Sequence, residues 1–481
     1  MYEKNSLNRN DLIIFFIFTA IIVVFSIFIS MKNIGNGFFW DDFHLVRSFT
    51  MTELKMVWHS SWDPDHIETP GYRPLTTLIN QLRYWLFGEN LVAHRVFLMA
   101  LYVIIIVAWG RILLNLGLNN FTYLCISFLI LSARNSAYHF NWIADGIHLF
   151  QGVLFITSFW LIFLSLYTSR RSYAIILSIL SLIIYTISLL VREDSIIILC
   201  AILFLWIFLL YSNKDKRTKS NLQHLIIYGL LGSTITLTIL FIGKYFVPER
   251  AFGFHPDGMI RMLKFTIFLA GFRGGEKYYY IATLPIILVC ISFILTKYEN
   301  KKIDSQKYIL FLLLMIIVFV SCLPGLSVNR SNLTFFSNIF YCTWLVTGCL
   351  IFLNSITPQR LKLFLSGVLA IILIPIIIES TTNNLLLQES TAYPISNMID
   401  TPDFIWGMYS NASVPEKRRN RVITDMDELG ITQENYSTKI PILICDAYKK
   451  GLYHPTTKGD IFFPKYFMFI DDGWYPIVCR K

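Results

Sequence analysis

Two adjacent carboxylates stand in the first hydrophilic loop, in the stretch GNGFFWDDFHLVR at 35–47. Asp41 and Asp42 follow closely on a long apolar run, so the sequence places two proton acceptors where the chain leaves a lipid phase. A positioned carboxylate can remove the proton of an attacking hydroxyl and accelerate such a step by about 10²- to 10⁴-fold. We therefore identify Asp41 and Asp42 as candidate catalytic bases.

Further charged and imidazole side chains collect at the same ends of the predicted spans, whereas the middles of the spans are almost free of charge. We predict that nine of them bind substrate: Arg73, His44, Arg134, His139, Asp145, Arg192, Glu193, Arg273 and Arg330. Guanidinium groups bind phosphate oxygens in pairs, and preorganised cations stabilise the charge of a departing phosphate. Such a grouping suits a reaction in which a hydroxyl attacks a sugar C1 and a lipid phosphate leaves.

Each of these charged residues also has a simpler structural interpretation. Asp194 can cap the helix that follows it, and Asp145 can lie in a first helical turn, where the helix dipole favours negative charge. Basic side chains can extend towards lipid headgroups, and the histidines lack the spacing of a zinc site. The argument for chemistry therefore depends on the grouping of these residues and not on any one of them.

The elements that carry these residues are predicted to be membrane-spanning helices. Hydrophobic residues make up 55% of the chain and charged residues 15%, which is not the composition of a soluble globular domain. About eleven apolar runs are long enough to cross a bilayer. They lie near 12–30, 95–115, 117–133, 147–167, 173–191, 195–211, 225–246, 278–296, 308–323, 336–353 and 361–378. The predicted fold class is an all-α polytopic membrane protein.

The distribution of lysine and arginine predicts the orientation of these spans. Basic residues concentrate in alternate short loops, at 170–171, 213–219, 297–307 and 360–362. By the positive-inside rule these loops and the N-terminus are cytoplasmic, and the C-terminus is outside. The first run lacks a small-residue cleavage pattern, so it is predicted to remain as the first helix. All the candidate site residues then lie on the outer side.

Two domains are predicted. Residues 1–378 form the transmembrane domain with its first outer loop (31–94), and residues 379–481 form a small α+β domain outside the membrane. In the tail, apolar and polar residues alternate, and a turn at 472–473 can close a hairpin. Within the first loop, apolar residues recur at helical spacing over 75–86, which predicts an amphipathic helix lying at the interface.

Net charge and cysteine content limit the kinds of partner and of covalent cross-link that we expect. The net charge of +10 fits the predicted orientation, and no basic stripe of the kind that tracks phosphates along a nucleic acid is present. Eight cysteines are too scattered for a disulfide scaffold. Cys445 and Cys479 lie in the predicted outer tail, where a disulfide between them is left open. The bilayer is a predicted partner, and nucleic acid is not.

Five stretches of this sequence resemble motifs of the GT-C class of membrane glycosyltransferases. The first is the acidic loop after the first helix, and the most specific is GYRPLTTLINQLRYWLFGENLVAHRVF at 71–97. Weaker similarities are NWIADGIHLFQGVLF at 141–155, VREDSIIIL at 191–199 and LPGLSVNRSNLTFFSNIF at 323–340. The likeness covers most of residues 10–350 and is closest to the protein O-mannosyltransferase-like branch.

This resemblance implies an inverting transfer of sugar from a polyprenyl-phosphate donor on the outer leaflet. It implies that Asp41 or Asp42 is the catalytic base, that Arg73 orders the loop or contacts the lipid phosphate, and that Arg330 binds phosphate. Some members of the class use a divalent metal at a D-x-D motif. Here the two acids are adjacent, so a metal is compatible with the pattern but no cofactor is required.

Other functions remain open at this point. A transporter or flippase of a lipid-linked sugar would show inverted repeats and ionisable groups near the midplane, and the sequence has neither. A polysaccharide polymerase or ligase would use a lipid-diphosphate glycan. The composition favours a bacterial cytoplasmic membrane, with a surface glycan such as O-antigen as acceptor rather than protein or lipid. By analogy, enzymes that modify O-antigen with glucose from undecaprenyl phosphate have this size and topology.

Overall fold

A computed structural model of the 481-residue chain provides the fold. The structure describes residues 9–31, 34, 45, 48–64, 71–88, 90–133, 136, 139, 143, 146–168, 170–197, 199–201, 216–248, 256–267, 279–299, 305–323, 335–356, 358–391, 467–470 and 473–476. All structural statements below concern these residues.

The described chain is almost entirely helical. The helices, in order, are α1 (Arg9–Met31), α2 (Met51–Met56), α3 (Pro74–Phe87), α4 (Leu91–Asn115), α5 (Asn120–Ser132), α6 (Ile147–Tyr167), α7 (Arg171–Val191), α8 (Lys216–Phe246), α9 (Pro256–Ile267), α10 (Tyr279–Tyr298), α11 (Ser305–Ser321), α12 (Phe335–Ser355) and α13 (Gln359–Thr391). A 3₁₀ turn at Glu193–Ile196 follows α7, and a hairpin of β1 (Phe467–Ile470) and β2 (Gly473–Pro476) lies near the C-terminus.

The predicted spans coincide with these helices except in one place. The run at 195–211 extends beyond the described residues, since only its first part up to residue 201 is described. Within the described chain, seven helices are long and apolar enough to cross a membrane by length and composition, and three shorter apolar helices accompany them. Large apolar side chains such as Val24 and Phe241 lie exposed on the outside of the bundle, as expected for lipid-facing positions. The prediction of an all-α polytopic membrane protein is therefore confirmed at this level.

Helix α12 lies at the centre of the bundle, because 89% of its apolar 18-residue stretch is buried inside the protein. Its aromatic side chains pack against the neighbouring helices. The ring of Phe340 lies 5.6 Å from that of Trp109 in α4 and 5.9 Å from that of Phe155 in α6. The indole nitrogen of Trp109 donates a hydrogen bond to Thr343 Oγ1 at 3.0 Å. Close packing of this kind stabilises helix association in lipid, where no hydrophobic driving force acts between helices.

A seam of hydroxyl groups joins α6, α7 and α8. Ser158 Oγ lies 3.0 Å from Ser181 Oγ, and the phenol oxygen of Tyr228 lies 3.2 Å and 3.1 Å from these two atoms. Further along α7, the hydroxyl of Tyr185 lies 2.6 Å from Thr236 Oγ1 in α8. Small hydroxyl-bearing residues let helices approach closely and bond across the contact. The seam therefore fixes the three helices against one another below the loops.

The N-terminal helix α1 packs on α5 around one aromatic residue. The ring of Tyr123 stacks on that of Phe15 at 5.1 Å, and its hydroxyl lies 3.2 Å from Thr19 Oγ1. On its other side Tyr123 approaches Gly110 in α4 so closely that a Cβ there would be 2.1 Å from the ring. The absence of a side chain at Gly110 thus makes room for the residue that anchors α1.

The predicted amphipathic helix of the first loop is confirmed as α3, and its faces are distributed as in a helix between protein and lipid. The side chains of Thr76, Thr77, Asn80 and Arg83 are buried against the protein. On the opposite face, Trp85 is 76% exposed, together with exposed leucines. A polar face towards protein and an apolar face outward is the arrangement expected of a helix lying in the interface. Its depth in a bilayer stays a prediction.

Only two parts of the predicted tail domain are described. Helix α13 continues to Thr391, past the boundary predicted at 378. The predicted hairpin is confirmed as an antiparallel pair in which Ile470 faces Gly473, so its turn comes one residue earlier than expected. Residues 392–466, and both Cys445 and Cys479, lie outside the described residues. The α+β domain and the disulfide therefore stay predictions.

Candidate functional site between the first loop and the end of α7

Described residues of the first loop, of the 134–146 loop and of the turn after α7 come together at one end of the bundle. We call this end the first-loop side and define it by residues 48–64, 71–83, 136, 139, 143, 146–151 and 188–196. Backbone and side-chain hydrogen bonds join these segments to one another across large separations in sequence. Alternate loops of an antiparallel bundle must share a side, and the structure places the four described candidates, Arg73, His139, Arg192 and Glu193, on the same one.

Arg73 and Glu193 form a two-pronged ion pair across the first-loop side. Arg73 Nε donates to Glu193 Oε2 at 2.6 Å, and Nη2 donates to Oε1 at 2.7 Å. The side chains are 14% and 15% exposed. Thr76 Oγ1 reinforces the contact by donating to the carbonyl of Val191 at 2.7 Å. Because charged, paired hydrogen bonds are short and directional, the start of α3 is held firmly against the end of α7.

The first loop is closed on itself beside this pair. The amide of Trp62 donates to the carbonyl of Gly71 at 2.9 Å, and Thr77 Oγ1 donates to the carbonyl of Trp62. Asp63, the next residue, has no exposed surface. Buried carboxylates are held by partners within the protein, so Asp63 is placed to fix the loop. It was not among the acids predicted to act on substrate.

Arg192 lies between a carboxylate and an imidazole. Its Nε donates to Asp194 Oδ1 at 3.3 Å, and its Nη1 donates to His148 Nε2 at 3.0 Å. A guanidinium has no acceptor, so His148 must accept this bond with an unprotonated Nε2. Neither Asp194 nor His148 was predicted to bind substrate. Asp194, interpreted from sequence as a helix cap, lies inside the 3₁₀ turn and accepts from side chains instead.

A buried glutamine completes this network. Gln151 Nε2 donates to Asp194 Oδ1 at 2.5 Å and lies 2.8 Å from Ser195 Oγ. Ser195 in turn lies 2.7 Å from Ser188 Oγ and donates to the Ser188 carbonyl. Gln151 falls in the apolar run of α6, where a single amide gives no signal of function. Its spacing of three residues from His148 would place both on one helical face, and that is the only hint in the sequence.

His139 is the described member of the 134–146 loop among the predicted substrate-binding residues. It is almost fully buried, and its ring lies 5.9 Å from that of Tyr102 and 6.1 Å from that of His148. The hydroxyl of Tyr102 lies 2.7 Å from Ser136 Oγ. Through these contacts Ser136 and His139 pack against Tyr102 in α4, and His139 also packs against His148 in α6. His139 thus approaches the Arg192 network through His148.

Arg83 ties α3 to the same loop. It is 2% exposed, and its Nη2 donates to the carbonyl of Ile143 at 2.8 Å. Sequence reasoning missed this contact, although Thr76, Asn80 and Arg83 form a polar stripe at helical spacing. The stripe could have been recognised as the face that α3 turns towards protein.

Seven of the predicted site residues lie outside the described part of the chain. They are Asp41, Asp42, His44, Arg134, Asp145, Arg273 and Arg330. Their roles stay predictions. Among the described residues, no group of three or more histidine, cysteine or carboxylate side chains is placed to hold a metal ion.

Two arginines of the described site are paired with carboxylates. Arg73 is paired with Glu193, and Arg192 is paired with Asp194. One of these pairs joins the first loop to the end of α7, and the other lies within the turn that follows α7. A phosphate that entered this group would compete with carboxylates for guanidinium donors, so its binding would depend on how firmly each arginine is held.

Comparison with known proteins gives little support for a family. No protein-family model matches the sequence, and no curated protein matches it significantly. Among solved structures, the chain is similar to the apo oligosaccharyltransferase of Archaeoglobus fulgidus, with 10% identity and a TM-score of 0.48. The match covers 85% of this chain and 59% of that one, so the chain spans less than two thirds of the length of that protein. A similarity this weak does not assign the chain to a family.

Proposed function

We propose that this chain is an inverting, GT-C-like glycosyltransferase that moves a single sugar from a polyprenyl-phosphate donor to an acceptor hydroxyl on a cell-surface glycan. The observation that supports it most is the convergence of Arg73 and Arg192 with Glu193 and Asp194 at the end of a membrane bundle. A lipid-linked substrate and a water-soluble acceptor can meet only at such an end.

The proposed chemistry is a single displacement at the sugar C1. The acceptor oxygen bonds to C1 as its proton passes to a carboxylate, and the bond from C1 to the phosphate oxygen breaks with its electron pair leaving on the phosphate. We assign the proton acceptor to Asp41 or Asp42. Arg192 meets the leaving phosphate, because its guanidinium is held by Asp194 from the 3₁₀ turn and by His148 from α6. Preorganised charge of this kind lowers the barrier for a departing anion.

Arg73 has a different role in this proposal. Its two short bonds to Glu193 hold the end of the first loop, where α3 begins, against the end of α7. The acceptor glycan docks on the tail that follows α13. The proposed setting is a bacterial cytoplasmic membrane with the first-loop side outside, as the basic loops predict.

The test is transfer of label from a panel of radiolabelled polyprenyl-phosphate sugars in membranes that contain the full chain. We expect label in surface glycan with at least one donor. The double variant Asp41→Asn/Asp42→Asn should lose transfer while remaining inserted, because asparagine keeps the shape but cannot accept the proton. Asp257→Asn, at an exposed position of α9, serves as the matched control and should retain transfer.

The outcomes separate this proposal from its alternatives. Substantial transfer by the double asparagine variant would refute the role of the acids. Movement of labelled lipid across the bilayer without any transfer would indicate a flippase. Activity only with lipid-diphosphate glycans would indicate a polymerase or ligase, and either result would overturn the proposed reaction.

A further inference from the structure

The amide of Gln151 can be oriented in only one way. Ser195 donates its proton to the Ser188 carbonyl at 2.9 Å, so Ser195 Oγ is left to accept. Asp194 Oδ1 can only accept, since a carboxylate has no donor when ionised. Gln151 must therefore point its NH₂ group at both atoms, at 2.8 Å and 2.5 Å. The reverse orientation would set the amide oxygen against a carboxylate inside the protein.

This orientation leads directly to Arg192. Gln151 and Arg192 Nε donate to the same oxygen of Asp194, and the bond from Gln151 is the shorter one, at 2.5 Å against 3.3 Å. The side chain of Gln151 has no exposed surface, so water cannot replace it readily. Gln151 in α6 thus fixes the position of the Asp194 carboxylate, and Arg192 binds to this fixed carboxylate.

We propose that Gln151 is a positioning residue that acts through Asp194 to hold the guanidinium of Arg192 where it meets the phosphate of the lipid donor. This inference rests on the proposed function for the phosphate, whereas the coupling from Gln151 to Arg192 rests on the hydrogen bonds alone. The contact of Arg192 with His148 holds the other end of the guanidinium. Arg192 is thereby held from two positions on one helix, three residues apart.

The variant that isolates this role is Gln151→Met. Methionine has nearly the volume of glutamine and no N–H group, so it fills the site and removes both donated bonds. Of its bonds to described side chains, Asp194 then keeps the longer one to Arg192, and the carboxylate gains rotational freedom. Ser158→Ala is the matched control, because Ser158 is also buried on α6 and bonds to α7, but through the hydroxyl seam.

The first measurement does not need any enzymatic activity. Purified chains are treated with phenylglyoxal, and the modification rate of Arg192 is followed by mass spectrometry. We expect about tenfold faster modification in Gln151→Met, equivalent to a loss of about 1.4 kcal/mol of restraint, and less than twofold change in Ser158→Ala. An unchanged rate in Gln151→Met, or an equal increase in the control, would overturn the positioning role whatever the chain transfers.

The second measurement tests the phosphate. Undecaprenyl phosphate in detergent micelles should slow modification of Arg192 in the wild-type chain, and lack of protection would overturn the phosphate contact. In the transfer assay, Gln151→Met should raise the KM for the donor and lower kcat, with the KM for acceptor unchanged. In an Arg192→Met background, Gln151→Met should have no further effect on either constant. Additive losses would mean that Gln151 acts elsewhere.

The two measurements distinguish the inference from the function on which it rests. If no polyprenyl-phosphate sugar serves as donor but Gln151→Met exposes Arg192 to modification, the proposed function fails and the positioning role stands. If the wild-type chain transfers sugar but Gln151→Met changes neither the modification rate of Arg192 nor the KM for the donor, the proposed function stands and the positioning role fails.

Discussion

Breaking the pair between Arg73 and Glu193 should loosen the first loop without unfolding the bundle. Two charged hydrogen bonds of 2.6 Å and 2.7 Å join side chains that are about 85% buried. Hydrogen bonds to charged groups contribute about 1.5–3 kcal/mol each, but the two bonds share one loss of side-chain entropy and some screening by solvent. We therefore expect a coupling free energy of about 2 kcal/mol, which is about thirtyfold in the open fraction of the loop.

Native-state hydrogen exchange measures this opening directly. Exchange of the Trp62 and Thr76 amides, which donate to the carbonyls of Gly71 and Arg73, should become about thirtyfold faster in Glu193→Ala. Arg73→Ala should have an effect of similar size. In the double variant these amides should exchange little faster than in either single variant. Once one partner is gone the ion pair is already broken, so the second substitution removes no further bond between them.

Peptides from the centre of α12 provide the internal control. They lie in the buried middle of the bundle, so their amides should exchange at wild-type rates. A coupling free energy below about 0.5 kcal/mol, or about twofold in rate, would refute the conclusion that the pair anchors the loop. Equal acceleration in α12 would also refute it, because the pair would then stabilise the whole bundle.

Two further predictions concern packing and pH. Gly110→Ala should lower the free energy of unfolding in detergent by about 1–3 kcal/mol, the cost of an overpacked site, because its Cβ would lie 2.1 Å from the ring of Tyr123. The thermal midpoint should fall accordingly, whereas Gly367→Ala, with open space around it, should leave the midpoint unchanged. Burial raises the pKa of the Tyr72 phenol above its ordinary value of 10.0. The unfolded chain therefore releases this proton first, and the contribution of Tyr72 to stability is lost as pH rises above 10.0. Stability of Tyr72→Phe, measured as unfolding midpoint against pH, should fall less steeply in that alkaline range, and an identical slope would contradict the assignment.

The spans could be predicted from sequence because lipid imposes a simple rule on length and polarity. A run such as 336–353 must be helical to satisfy its backbone in hydrocarbon, and α12 is found there. The end of α13 could not be predicted in this way, since a helix can continue into water past the apolar residues that identify it. The turn of the hairpin was one residue off for a similar reason: alternation identifies strands but not their register.

The sequence predicted which charged residues lie on one side of the membrane, but it did not predict which of them bind to each other. Charges at span ends indicated that Arg73, Arg192 and Glu193 would share one side, because topology alone decides this. The partners of each arginine depend on three-dimensional packing, which hydropathy does not encode. Gln151 was missed because a lone amide in an apolar helix resembles a packing residue, and its meaning depends on Asp194 from another helix.

The bond between Arg73 and Glu193 also has a consequence for biosynthesis. Its two ends are 120 residues apart, which a ribosome translates in about 6–24 s. During that interval the ion pair cannot form, because helices α4, α5, α6 and α7 must be synthesised before Glu193 is available. The ion pair is therefore a late contact in the synthesis of the protein, and a nascent chain released before residue 193 would lack it.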